Sequence, residues 1–150
     1  MRVLYIVEEI PFPVYKNGST LINYQVIKNF AKNSNLDILT FGNENEELLF
    51  EKKLDIKLNE IYLIKNNIRF IFLKKIFAIM LFKPSFYFLY SSFFFKKLIE
   101  IKNKNNYDLI FVDSINMEIY TKSFCNDVCI SLHDSLSYLY YSMYKNTKGL

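Results

Sequence analysis

The chain has no tryptophan, three glycines, three prolines, two cysteines and one histidine in 150 residues. Each scarcity excludes something. Three glycines cannot build a glycine-rich phosphate loop, and the G-x-G-x-x-G fingerprint of dinucleotide oxidoreductases is absent. Cys125 and Cys129 lack the C-x-x-C spacing of redox and zinc motifs. With His133 as the only imidazole, the sequence offers no complete structural zinc set, so no metal is expected. Two reduced thiols suit a cytosolic protein. No run of uncharged residues reaches the ~18 that a membrane-spanning helix needs. No secretory signal is expected either, because the first apolar run stops at Glu8-Glu9. The net charge of +4 comes from lysines scattered among asparagines, which argues for a solvated surface and against nucleic acid as a partner.

What is present is apolar and aromatic. Hydrophobic residues make up 51% of the chain and aromatics 18%, enough to build a core and unlike a disordered segment. By length, residues 1–150 form one domain. Its organising stretch is Arg2 to Lys32. Val3-Leu4-Tyr5-Ile6-Val7 is a β-branched and aromatic run that suits a parallel strand covered on both faces. A loop with Pro11, Pro13 and Gly18 follows. Ser19-Thr20 then signals the start of a helix with an apolar stripe at Ile22, Val26, Ile27, Phe30 and Ala31. A strand feeding a helix through such a loop is half of a βαβ unit.

The pattern repeats. Leu36 to Phe41 alternates apolar and polar residues and ends at Gly42. A short helix is expected near Glu46 to Lys53, and a third strand at Glu60 to Ile64. Tyr107 to Asp113 and Val128 to His133 read as two further buried strands, with a short helical stretch around Met117 to Ser123 between them. Asp134 or Ser135 can cap a final helix from Leu136 to Tyr144. Strands alternating with helical stripes predict an α/β fold: a Rossmann-like parallel sheet with helices on both faces. Ile68 to Lys97 stands apart. It is expected to form one or two helices, crowded with phenylalanine and bordered by Lys74, Lys75, Lys96 and Lys97. Such a segment packs on the sheet, meets a membrane surface, or does both with different faces.

In a parallel sheet the loops at the carboxyl ends of the strands converge and build the ligand site. Here they bring Glu8, Glu9, Lys16, Asn17 and Gly18 after the first strand. Asp113, Ser114 and Asn116 follow the fourth, and His133, Asp134 and Ser135 the fifth. His133 is a structural residue or an acid/base group, and its place at a strand end gives weight to the second. Asp134 is equally suited to capping a helix, Asp113 to ending a buried strand, and Gly18 to making a turn.

Three segments taken together resemble family 4 glycosyltransferases. They are Arg2 to Val7 with Pro11-Phe12-Pro13 and Asn17-Gly18-Ser19, then Tyr107 to Asp113, then Ile130-Ser131-Leu132-His133-Asp134-Ser135. The resemblance covers the chain except Asn43 to Lys104. It implies the amino-terminal, acceptor-side half of a GT-B fold, with a carboxyl-terminal donor-binding domain lying outside this chain. It implies sugar transfer with retention from a nucleotide-sugar co-substrate, without metal or other cofactor. The acceptor would be a glycan or a lipid-linked glycan of cell-surface polysaccharide synthesis, met in the cytoplasm or peripherally on the inner face of the membrane. On this resemblance His133 lines the acceptor side of the cleft as the catalytic residue. Gly18 approaches the donor phosphates. Asn17, Ser19, Asp113 and Asp134, at the same converging strand ends and helix start, are the expected substrate-binding neighbours. The family places two adjacent glycines in that loop, whereas Ser19 follows Gly18 here. The family's paired glutamates, eight positions apart, do not occur in this chain. The alternative is a non-enzymatic flavodoxin-like or receiver-like α/β binding module, in which Glu8 and Glu9 would partly supply the acidic cluster after the first strand and Asp113 would serve as the phosphorylatable aspartate.

Overall fold

The computed structural model describes residues 1–16, 18–42, 50, 58–65, 90–122, 124 and 128–131. Within them lie five strands: β1 (Arg2–Glu9), β2 (Asn35–Phe41), β3 (Glu60–Ile64), β4 (Leu109–Asp113) and β5 (Val128–Ser131). All four pairings are parallel, and the strands lie in the order β3-β2-β1-β4-β5. The expected α/β parallel sheet is what the chain forms. This is the 3-2-1-4-5 order of a Rossmann-type sheet, and it differs from the 2-1-3-4-5 order of flavodoxin-like and receiver-like modules.

β1 is the centre, paired with β2 on one side and β4 on the other. Val3 to Val7 are all buried, which a parallel strand needs when helices cover both of its faces. One face is covered by α1 (Gly18–Asn33), where Ile27 packs with Val3, Tyr5, Val7 and Ile38. Tyr5, Phe30 and Phe111 form an aromatic group there, with Tyr5 and Phe111 stacked at 5.3 Å between centroids. The other face is covered by α2 (Ser92–Lys104) and a 3-10 helix (Ile115–Tyr120). Phe94, Leu98, Ile101, Met117 and Tyr120 join Leu4, Ile6 and Val112 in this second core.

α2 begins where Ser91 Oγ accepts from the backbone N–H of Phe94, a serine N-cap. α1 begins at Gly18, one residue before the expected signal, so Ser19 lies inside its first turn. Thr20 is buried and donates to the carbonyl of Val14. Of the expected apolar stripe, Ile27 is buried and Val26, Phe30 and Ala31 pack against the same core, while Ile22 is exposed. Two polar residues, Thr20 and Asn23, complete the inner face in its first turns.

β4 starts at Leu109, two residues later than expected. The hydroxyl of Tyr107 is instead spent on a polar lock at the amino-terminal edge of the sheet. Asp37 on β2 is fully buried. Its Oδ2 accepts from Arg2 Nε and Nη2 at 3.1 and 2.8 Å, and from Tyr107 Oη at 2.6 Å. Its Oδ1 accepts from Asn59 Nδ2. β2 alternates apolar and polar residues, and Leu36 through Phe41 are all buried. The polar positions are tolerated because Asp37 meets these donors and Thr40 Oγ1 donates to the Phe41 carbonyl.

The expected helices near Glu46 to Lys53 and Leu136 to Tyr144 fall almost wholly outside the described residues, as does Ile68 to Leu89. Of the phenylalanine-rich segment, Ser92 to Lys97 is helical, in the first turns of α2. No helix among the described residues is long and apolar enough to cross a membrane.

The lock makes a prediction. Asp37→Ala removes the acceptor shared by Arg2, Tyr107 and Asn59, of which Arg2 and Tyr107 are half-buried and Asn59 is exposed. It should cost about 2–4 kcal/mol, discounted because Arg2 keeps some contact with water. Urea unfolding of both proteins measures it. A loss below about 0.5 kcal/mol, typical of surface sites, would show that the lock carries no weight.

Candidate functional site

The strand order reverses direction between β1 and β4, and ligands of open α/β sheets bind outside the carboxyl ends of the strands at this switch point. The residues found there are Glu8 and Glu9 at the end of β1 and Asp113, Ser114 and Asn116 at the end of β4. Asn116 Nδ2 reaches Glu8 Oε2 across the switch point at 3.4 Å, a long hydrogen bond. Glu8 and Asn116 are both half-buried.

Burial pushes the Glu8 carboxyl above its ordinary range. The Asn116 hydrogen bond opposes this, and the negative charges of Glu9 and Asp113 reinforce it. Glu9 points elsewhere and pairs with Lys16 at 2.6 Å on an exposed surface. Such a pair contributes little to stability.

Asp113 is only 4% exposed. Its Oδ2 accepts from Asn23 Nδ2 of α1 at 2.6 Å. Asn23 is the residue that the sequence reading missed. Its signal was a carboxamide one helical turn before Ile27, on the face that turns inward.

The turn after Asp113 is unusual. Ser114 has φ 79° and ψ 138°, the only positive φ at a non-glycine residue among those described. A side chain in that region costs on the order of 1–3 kcal/mol, and such costs gather at functional turns. Three hydrogen bonds hold it. Ser114 N donates to the Ser131 carbonyl of β5, the Ser114 carbonyl accepts from Met117 N, and Ser114 Oγ accepts from Asn116 N. The turn thereby delivers the Asn116 side chain to Glu8.

The loop after β1 is ordered by short-range bonds. Phe12 N donates to the Ile10 carbonyl and Lys16 N to the Pro13 carbonyl, around a cis Phe12–Pro13 peptide. Gly18 and Ser19 follow, both exposed at the amino end of α1. The space in front of Gly18 is open, since a Cβ added there would meet nothing within 4 Å. Nothing in the backbone requires glycine at this place, because its φ is an ordinary one.

Of the expected site residues, the structure brings Asp113 to the switch point and sets Gly18 and Ser19 at the start of the helix that carries Asn23. Asn17, His133 and Asp134 lie outside the described residues. Among the described residues no group of three or more His, Cys, Asp or Glu side chains could hold a metal ion.

Fold and site together define an α/β protein with Rossmann-type strand order and a carboxyl-carboxamide cluster at its switch point. Comparison of the chain with family models, with curated proteins and with solved structures finds no match.

The environment of Glu8 predicts a pH-dependent stability difference. Its carboxyl protonates more readily in the folded chain than in the unfolded one, whose ordinary value is 4.5. Stability is then lost as pH rises from 4.5 through the folded value, and the ionised group burdens the fold above it. Glu8→Gln keeps an acceptor for Asn116 and removes the charge. The variant should be more stable than the parent at pH 7, with the gap closing as pH falls toward 4. Urea midpoints at both pH values test this, and a pH-independent gap would refute it.

Proposed function

We propose that this chain is the acceptor-side Rossmann-like domain of a retaining GT-B glycosyltransferase. The reaction would move a sugar from a nucleotide-sugar to a glycan or lipid-linked acceptor in cell-surface polysaccharide synthesis. The observation that carries the reading is the cluster at the β1/β4 switch point, where Glu8 and Asn116 form a half-buried pair of acceptor and donor. Carboxylates accept and carboxamides both accept and donate, the combination that a hydroxyl-rich ligand needs. The resemblance of the strand ends to family 4 sequences supports the same reading, and the 3-2-1-4-5 strand order speaks against the flavodoxin-like and receiver-like alternative.

In this reading Glu8, Asn116 and the charge of Asp113 orient acceptor hydroxyls. An acceptor hydroxyl oxygen bonds to the anomeric carbon as the bond to the nucleoside diphosphate breaks, the electron pair of that bond leaving with the diphosphate and the hydroxyl proton passing to its departing oxygen. His133 lines the acceptor side as the catalytic residue, with Asn17 and Asp134 beside the substrates. Gly18 and Ser19 are exposed at the start of α1, the end of a helix that suits a donor phosphate. A second domain holds the nucleoside, because sugar transfer depends on fixing donor and acceptor in one geometry.

The partition between domains is testable on the chain itself. Two-dimensional NMR with a disaccharide such as maltose or cellobiose should move the Glu8, Ser114 and Asn116 resonances. Calorimetry with a panel of nucleotide-sugars should detect no binding tighter than about 1 mM. Micromolar nucleotide-sugar binding, roughly −8 kcal/mol, would assign the donor site to this domain and reverse the reading. Disaccharide titrations that leave the switch point unmoved would remove it.

A membrane surface is the further partner of this reading, through Ile68 to Lys97. The described part of that stretch presents Phe93, 76% exposed, beside exposed Lys96 one helical turn away. An aromatic flanked by a cation is what an anionic interface attracts. The chain should float with vesicles containing anionic lipid, and Phe93→Ser with Lys96→Glu should lower the bound fraction several-fold. Equal flotation of parent and variant would rule out this contact.

A further inference from the structure

Tyr5, Asn23 and Asp113 form a buried chain of hydrogen bonds running from β1 through α1 to the end of β4. Tyr5 Oη lies 3.2 Å from Asn23 Oδ1, and Asn23 Nδ2 lies 2.6 Å from Asp113 Oδ2. Tyr5 is fully buried and Asn23 is 5% exposed. Chemistry sets the direction of this chain. The carboxamide turns its donor nitrogen to Asp113 Oδ2, which leaves its oxygen to accept from the Tyr5 hydroxyl. Tyr5 remains a donor, because burial, and after it the charge of Asp113, pushes its pKa well above the ordinary 10. Tyr5 donates to Asn23, and Asn23 donates to Asp113.

A packing role alone would not need this chemistry. An apolar residue at position 23 would bury against the same sheet, as Ile27 does one turn later. The carboxamide is instead aimed at the residue that precedes the strained Ser114 turn. That turn presents Asn116 to Glu8.

We propose that Asn23 is a positioning residue for the switch-point site. Through Nδ2 it fixes the Asp113 side chain, and with it the Asp113-Ser114-Asn116 turn that sets Asn116 against Glu8. Tyr5 holds Asn23 the right way round. The role of Asn23 in ligand binding rests on the acceptor-site reading above, whereas its role in the turn does not.

Two readouts separate these. The first uses the chain without ligand. Nitrogen-15 NMR should show one Asn23 side-chain amide proton exchanging slowly with water, and Asp113→Asn should shift it. Asn23→Ala should move the Ser114 and Asn116 resonances while distant β2 and β3 resonances stay in place. If Asn23→Ala fails to fold, Tyr5→Phe decides, since it removes one hydroxyl from an intact core. It should loosen the Asn23 amide and move the Asn116 side-chain signals. Ser114 and Asn116 resonances unmoved in a folded variant overturn the proposal.

The second readout is disaccharide affinity. Asn23→Ala should lower it about tenfold, and Asn23→Ala combined with Asp113→Asn should be no weaker than Asp113→Asn alone, because the two act as one unit. Fully additive losses overturn the proposal. A parent chain that binds no disaccharide sinks the acceptor reading, and the first readout then still decides the role of Asn23.

Discussion

A buried carboxylate cannot be left without donors, and this sheet is arranged around one. Asp37 sits on β2, fully inside, and takes hydrogen bonds from Arg2 at the head of β1, Asn59 just before β3 and Tyr107 just before β4. One side chain thus ties four segments at one edge. Desolvating the charge is offset only when these partners are in place together, so the lock favours one alignment of the strands. A one-residue slip of β2 would turn Asp37 to the opposite face and strip its donors. Arg2 also stands over the Tyr107 ring at 5.2 Å, and its backbone N–H donates to Asp108 Oδ2 at 2.7 Å. The amino edge is therefore closed by polar contacts of its own.

The carboxyl edge is built on different terms. Glu8 and Asn116 are half-buried and joined by one long hydrogen bond, and Ser114 holds a backbone angle that side chains rarely adopt. The sheet combines a tightly satisfied end with one whose polar groups retain capacity for another molecule. Between them, aromatic packing holds the helical layers, through Tyr5, Phe30 and Phe111 on the α1 face and through Phe41, Phe94 and Tyr120 on the other. Phe94 and Tyr120 meet at 4.5 Å, Phe41 and Phe94 at 4.6 Å, and the Tyr120 hydroxyl accepts from Ser91 N at the start of α2. The alignment set at the amino edge is carried by these layers to the strand ends where the polar cluster stands.

The strand order links this geometry to the functional reading. Placing β1 between β2 and β4 puts the ends of β1 and β4 side by side, which brings Glu8 to Asn116 over 108 residues of sequence separation. A flavodoxin-like order would set β1 beside a different neighbour and part them. The acceptor-domain proposal uses this neighbourhood and the direction it gives to the carboxamides.

The sequence by itself determined the elements that depend on local pattern. Apolar runs near residues 2–7, 36–41, 60–64, 107–113 and 128–133 correspond to the five strands as far as the described residues reach, and their alternation with helical stripes specified parallel pairing because parallel strands need crossovers. It also pointed to the strand ends as the polar edge. It did not reveal which polar residues turn inward. Asp37 was one polar position in an alternating strand, and Asn23 was hidden inside an apolar helix pattern. Both are buried because partners distant in sequence, Tyr107 for Asp37 and Asp113 for Asn23, supply the hydrogen bonds that make burial tolerable. No periodicity encodes such a pairing. It exists only once the strands lie in order, and only the tertiary structure decided it.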